Sequence, residues 1–344
     1  MSADLRPSIA KSEGRSRLSL RQDRARSILY QALLAALFTV AVCYLVANAV
    51  ANLRASGIAS GFGFLTREAG FAIGETPFLS YSAGNSYLKA LAIGLLNTLR
   101  VAALAILLST VIGLFLGLAR LSPNWLLAKL ASTYVEIVRN VPLIVQLFFC
   151  YALITEILPG PANALNPAPG IFLSNRGFSF PLPAAIFPLV VDYPELSGFN
   201  FSGGGQLSPE FSALLLGLTL YTAAFIGEIV RAGILSVDRG QVEAAQSLGL
   251  SHRQVMRFVV LPQALRVIVP PITSQYLNCT KNSSLAVAIG YPDFVSIANT
   301  TINQTGQAIE GIALIMFVYL SISLAISACM NGYNRRVALR GAAP

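Results

Sequence analysis

Three stretches without one charged side chain, Ser27 to Leu53, Val101 to Ala119 and Gly311 to Asn334, constrain this chain more than any other feature. Each can cross a hydrocarbon core of ~30 Å, which takes about 20 residues of helix. Charged residues make up only 11% of the 344, against roughly 25% in a soluble domain. The expected fold is therefore all-α: a polytopic integral membrane protein of about six transmembrane helices.

In chain order, residues 1–27 form a basic tail carrying Arg6, Lys11, Arg15, Arg17, Arg21, Arg24 and Arg26, expected to be flexible. The first span covers 28–53. Its apolar run exceeds the 7 to 15 residues of a signal-peptide core, which favours a retained span over a cleaved leader ending at Ala47-Asn48-Ala49. Residues 54–88, rich in Gly, Ser and aromatics, read as an outer loop with interfacial rings. The second span, about 91–119, carries Asn97 and Arg100 near its outer end and Gly113-x-x-x-Gly117, which permits close helix approach, near its inner end.

A third span is expected over 132–158 and a fourth over 211–234. Each holds a Glu and an Arg at i, i+3: Glu136 with Arg139, Glu228 with Arg231. Charge at such depth is costly unless paired or turned toward water, so the pairs read either as ion pairs or as part of a transport path. Between these spans, residues 159–209 are rich in Pro and include Gly203-Gly204-Gly205, which excludes continuous helix and reads as an outer insert. The fifth span, about 259–280, includes Arg266, Pro270 and Pro271. Residues 281–305 read as an outer segment, the sixth span as 311–333, and 335–344 as a second cytoplasmic tail.

Orientation follows from charge. With the N-terminus inside, segments 1–27, 120–131, 231–258 and 335–344 hold 16 Lys and Arg, whereas 51–88, 157–209 and 281–305 hold four. That is the positive-inside asymmetry, and it accounts for the net charge of +9 without a nucleic-acid partner. Cys43, Cys150, Cys279 and Cys329 lie in separate segments with no paired spacing, as small apolar residues do.

Residues 238–262 form a polar hairpin between the fourth and fifth spans. Asp238 with Gln241 and Ser251 with Gln254 are spaced as capping boxes, and Gly249 is placed to end the first helix in a left-handed conformation. Gln241, Ala245, Gly249 and Val255 also match a DNA-binding helix-turn-helix. Flanked so closely by membrane spans, however, a recognition helix could not enter a groove.

Glu243-Ala244-Ala245, Gly249 and Leu261-Pro262 resemble the E-A-A-x3-G-x9-I-x-L-P signature of permease subunits of bacterial ABC importers, with Val259 at the usual Ile position. Arg139-Asn140-Val141-Pro142 through Phe149, Ala223 through Arg231, and Lys281-Asn282-Ser283-Ser284-Leu285 are similar to segments of the polar amino acid permeases. The long insert and the extra first span are similar to the general L-amino-acid transporters in that group. The resemblance implies a five-helix permease core at 89–334 in the inner membrane. It assigns Glu243, Ala244, Ala245, Gly249, Leu261 and Pro262 to coupling with an ATPase. It also implies an ATPase dimer that holds ATP and Mg, a second and related permease chain, and a periplasmic amino-acid-binding protein.

No G-x-x-x-x-G-K-[ST] phosphate loop is present, since none of Lys11, Lys89, Lys129 and Lys281 follows a Gly. The chain is therefore expected to bind no cofactor and to catalyse nothing itself. His252, the sole His, offers no catalytic dyad or metal cluster. Zwitterionic substrates need both charge signs nearby, and Arg100, Glu136, Arg139, Glu228, Arg231 and Lys281 are the candidates for a substrate path or gate. A secondary transporter independent of any ATPase is the alternative. Internal repeats are frequent in such folds, and no second inverted half is evident here.

Overall fold

A computed structural model describes residues 12–55, 61–185 and 190–337. Residues 1–11 of the expected basic tail and 338–344 of the C-terminal tail lie outside the described residues. The chain divides into two units, 1–60 and 61–344.

The first unit is one helix, α1 (Ser12–Ala55). It starts well before Ile28, so the segment expected to be a flexible tail is helical from Ser12 onward. After Gly14 that segment contains neither Pro nor Gly and is rich in Arg, a good helix former. Its apolar stretch, Arg26–Asn48, is exposed on every side within this unit, as a lipid-facing span would be.

The second unit is a helical bundle arranged around α5 (Pro209–Leu235), whose N-cap Ser208 accepts the Phe211 N–H at 3.1 Å. Small residues on two faces let its neighbours approach. Gly113 and Gly117 of α2 (Tyr87–Arg120) lie against Ile226 and Val230, so closely that a Cβ on either would sit 2.7 Å from those side chains. The Gly113-x-x-x-Gly117 pair thus marks the α2–α5 crossing. Phe211, Leu214 and Leu218 continue the buried face of α5 against Val101, Ala105, Leu143 and Leu147.

The third span is not one helix. α3 (Trp125–Asn140) and the helix beginning with α4 (Leu143–Ala152) meet at 105°. Pro142 is the cause: it forces Val141 into extended backbone, φ −92° and ψ 130°, so the helix stops before it. The Gln146 amide then donates to the Val138 and Val141 carbonyls at 2.8 and 3.0 Å, satisfying groups that the break leaves open. A π-turn, Leu153–Ile157, ends this arm.

Beyond it, the insert contains short strands rather than irregular loop. β1 (Leu165–Ala168), β2 (Ile171–Ser174), β3 (Gly177–Phe180) and β8 (Gly205–Leu207) form an antiparallel sheet in the order β1-β2-β3-β8. β4 (Leu182–Ala185) pairs with β5 (Val190–Asp192), and β6 (Glu195–Ser197) with β7 (Asn200–Ser202). Pro167 and Pro183 fall in edge strands, where a missing N–H is tolerated.

After α5 come α6 (Arg239–Ser247) and α7 (His252–Val255), and α7 runs through a π-turn at Met256–Val260 into α8 (Leu261–Asn282). Pro262 does not interrupt this path: it lies in the first turn of α8, directly after the π-turn, where a missing N–H is best tolerated. A 3₁₀ turn, Ser283–Ile289, extends α8. The outer segment then yields a helix, α9 (Phe294–Thr305), capped by Asp293 and ended by Gly306 at φ 71°. α10 (Ala308–Val337) completes the bundle.

The loop before α2 is folded onto the bundle. Phe64 and Ala69 are buried with Tyr87, Leu91, Phe294 and Ile297, and Asn97 ties loop to bundle by donating to the Glu75 and Pro292 carbonyls, each at 3.0 Å. Phe62 and Phe78 remain exposed.

Candidate functional site

At one end of the bundle, α6 and α7 form the polar hairpin. Gly249 ends α6 at φ 82°, a conformation that suits Gly. Gln254 accepts the Ser251 N–H at 2.8 Å, one arm of the second capping box. The first box does not form: Asp238 accepts the Gly240 N–H at 2.6 Å, while the Gln241 side-chain Oε1 accepts from the Gln263 side-chain amide at 2.5 Å. That long-range bond ties α6 to the first turn of α8.

Ala245, Val255 and Val260 form a small buried core under the hairpin, joined by Ile234, Val237 and Val242. The opposite face is open. Glu243, Ala244, Leu248 and Gly249 are exposed, with Leu248 at 81%. Of the six residues assigned to coupling, the structure thus places Glu243, Ala244 and Gly249 outward and Ala245 inward as support. Leu261 and Pro262 lie at the joint with α8, Leu261 exposed and Pro262 half-buried. His252 is exposed, with no metal cluster among the described residues.

One helical turn or so inside this end, four charges converge. Glu228 of α5 accepts from Arg231 at 2.7 Å and from Arg120 at the end of α2, and Arg139 of α3 approaches it to 3.8 Å. The expected Glu228–Arg231 pair therefore exists, joined by Arg120 and Arg139. The expected Glu136–Arg139 pair does not: Arg139 turns to Glu228 and lies over the Phe225 ring at 5.1 Å, leaving Glu136 exposed. The reason is environmental. Glu228 is only 23% exposed and can hold several donors, whereas Glu136 already faces outward. Arg120 went unread in the sequence because its partner lies 108 residues away.

Arg139 and Glu228 also line a cavity of about 550 Å³ with Phe225, Pro271, Ser274 and Gln275. It brings a cation, a carboxylate and neutral polar groups together between α3, α5 and α8. Pro270 and Pro271 within α8 free backbone carbonyls beside it, as is tolerated where a helix lines a polar space.

The other two path candidates lie elsewhere. Arg100 donates to Glu75 at 3.0 Å and stacks over the Phe211 ring at 4.1 Å, toward the opposite end of the bundle. Lys281 is exposed at the end of α8, where its carbonyl accepts the Ser284 hydroxyl. Glu75 went unmarked in the sequence, since nothing local signals that this loop folds back onto α2. Close to Arg100, Asp293 accepts the Ser296 N–H at 2.8 Å and the Tyr319 hydroxyl at 3.4 Å, and burial raises its carboxyl to about 7.

The fold and the hairpin define a class: a polytopic helical membrane protein that presents a rigid two-helix element at one end of its bundle. Residues 109–340 match the family model described as "Binding-protein-dependent transport system inner membrane component", and the chain belongs to that family. It is 46% identical to YhdX of Escherichia coli (strain K12), over 94% of this chain and 96% of that protein. It is 40% identical to the general L-amino acid transport system permease protein AapQ of Rhizobium johnstonii, over 94% of this chain and 95% of the relative. Among solved structures it is similar to an amino acid ABC transporter "with histidines", at 28% identity and TM-score 0.53, over 73% of this chain and 95% of that one. The chain is thus a non-catalytic transmembrane subunit of an inner-membrane ABC system, a class that works with ATPase and binding-protein partners.

Proposed function

We propose that the chain forms one half of the translocation path of an ATP-driven importer of L-amino acids, with separate ATPase subunits engaging the hairpin. The observation that carries this reading is mechanical. The exposed Glu243–Ala244 face rests on a packed core and is tied by Gln241–Gln263 to α8, which runs without a break to the cavity at Pro270 and Pro271. A push on α6 therefore reaches Arg139 and Glu228 as rigid-body helix motion rather than as loop deformation.

The substrate class is supported by the relatives. AapQ is named for general L-amino acid transport, and BztB of Rhodobacter capsulatus, 36% identical over 92% of this chain and 95% of its own, for glutamate, glutamine, aspartate and asparagine. The 550 Å³ cavity, holding Arg139 and Glu228 together, suits a zwitterion. We assign Glu243, Ala244, Gly249, Leu261 and Pro262 to ATPase coupling, Ala245 to support of that face, and Arg139, Glu228 and Arg231 to the path or its gate. The remaining partners are a second, related permease chain and a periplasmic amino-acid-binding protein; ATP and Mg belong to the ATPase subunits.

The test is Glu243→Lys in the assembled transporter in liposomes. A cation at this exposed position leaves insertion intact, and the expected result is ATP hydrolysis without amino acid uptake. Unimpaired uptake would remove the coupling assignment, and uptake driven by an ion gradient without ATPase subunits would make the chain a secondary transporter.

A further inference from the structure

A second polar cavity, of about 490 Å³, lies at the end of the bundle away from the hairpin. Four separate segments build it: Glu75 comes from the loop before α2, Arg100 from α2, Arg176 and Asn200 from the insert, and Glu210 from the first turn of α5. Two positive and two negative side chains thus line one space at this end of the bundle.

These four charges are not equally engaged. Arg100 and Glu75 neutralise one another at 3.0 Å, and the guanidinium is further held over Phe211. That pair is a fixed wall. Glu210 accepts one hydrogen bond, from the Tyr151 hydroxyl at 3.3 Å, and a carboxylate has room for several more. The Arg176 guanidinium is exposed at the β2–β3 turn and has no partner among the described residues. The cavity therefore offers one unengaged cation and one under-engaged carboxylate, with a net formal charge of zero from its four charged residues. Such a space has little preference for a simple anion or cation. It complements a small molecule that carries both signs.

We infer that this outer cavity is a holding site for zwitterionic α-amino acids, in which Arg176 takes the α-carboxylate and Glu210 the α-ammonium group. It is separate from the cavity at Arg139 and Glu228, and it gives the insert a role, because Arg176 and Asn200 are both supplied by it. The inference rests on the reading of the chain as an amino acid importer. A free amino acid leaving a binding protein would meet this site before the deeper cavity.

The experiment uses the complete transporter in liposomes, with exposed Cys43 and Cys329 replaced by Ser and Asn200→Cys as reporter. Copurified ATPase subunits establish that the reporter is assembled. A membrane-impermeant methanethiosulfonate is applied without and, in a second arm, with binding protein, in the presence of L-alanine, L-glutamine, butyrate or butylamine. The expected result is that the two amino acids slow modification several-fold, that butyrate and butylamine do not, and that Arg176→Gln or Glu210→Gln removes the protection. A reporter at Ser197→Cys, which does not line the cavity, should be unaffected. Uptake with no protection of the Asn200 reporter would overturn the holding site while leaving the import reading intact. Protection that requires the binding protein would overturn it in favour of a docking pocket for that protein. Absence of any α-amino acid uptake by the unmodified transporter would overturn the import reading, and the holding site with it.

Discussion

Glu228→Gln tests whether the charge cluster is a structural lock, and the exposures set the size of the effect. Breaking a fully buried ion pair costs about 3–5 kcal/mol, whereas surface pairs are worth about 0–1 kcal/mol. Glu228 is 23% exposed, and its donors Arg120, Arg231 and Arg139 are 10%, 31% and 39% exposed. The carboxylate lies between the two limits, and its neutralisation leaves three guanidinium groups facing one another across α2, α3 and α5. A loss of about 2 kcal/mol follows from interpolation between those limits. In a chain of this size that lowers the thermal midpoint by roughly 3–6 °C.

The assay is the midpoint of thermal aggregation of the purified transporter in detergent, followed by size exclusion. The ranking of the arginines is the sharper part. Arg120→Gln should approach the effect of Glu228→Gln, whereas Arg139→Gln should do little to stability, since Arg139 is the most exposed donor and stands 3.8 Å away. Salt should weaken the Arg139 contribution and leave that of Arg120 nearly untouched, because screening acts mainly on exposed pairs. Arg139→Gln should instead impair uptake, as the donor that also lines the cavity. An Arg139 variant as destabilised as the Arg120 variant, or a Glu228→Gln midpoint within about a degree of the parent, would refute the division into lock and path.

Two further perturbations probe the helix break and the outer core. Gln146→Leu strips the donors from the Val138 and Val141 carbonyls and should cost about 1–3 kcal/mol; an unchanged thermal midpoint would mean that water or another group satisfies the break. The Asp293 carboxyl, raised to about 7 mainly by burial, is favoured in its neutral form by the fold. Its contribution is fully present below the unfolded value of about 3.9 and is lost as pH rises through about 7. The thermal midpoint should therefore fall between about pH 4 and 7 and level off above that in the parent, and change much less in Asp293→Asn; parallel curves would count against it.

What the sequence made legible was whatever depends on near neighbours along the chain. Charge-free runs marked the spans, Gly249 marked the end of α6, and Ser251 with Gln254 marked the start of α7, because each signal and its structural consequence lie within one or two turns. The same reasoning failed wherever a distant partner outbid a local one. Glu136 and Arg139 have the spacing of Glu228 and Arg231, but only the second pair forms, since Glu228 captures Arg139 from another helix. Gln241 had the spacing for a capping box and instead receives a bond from Gln263. Pro142 was visible as a residue, but apolar flanks on both sides concealed that it turns the chain by 105°. The consequence concerns the candidate site directly. Its hairpin was read from a contiguous motif, whereas Arg120, Glu75, Arg176 and Glu210 act through pairings or cavities assembled from separate segments. The residues that escape a linear reading are therefore those that hold the helices in one arrangement, and they are where a transporter with two arrangements must exchange partners.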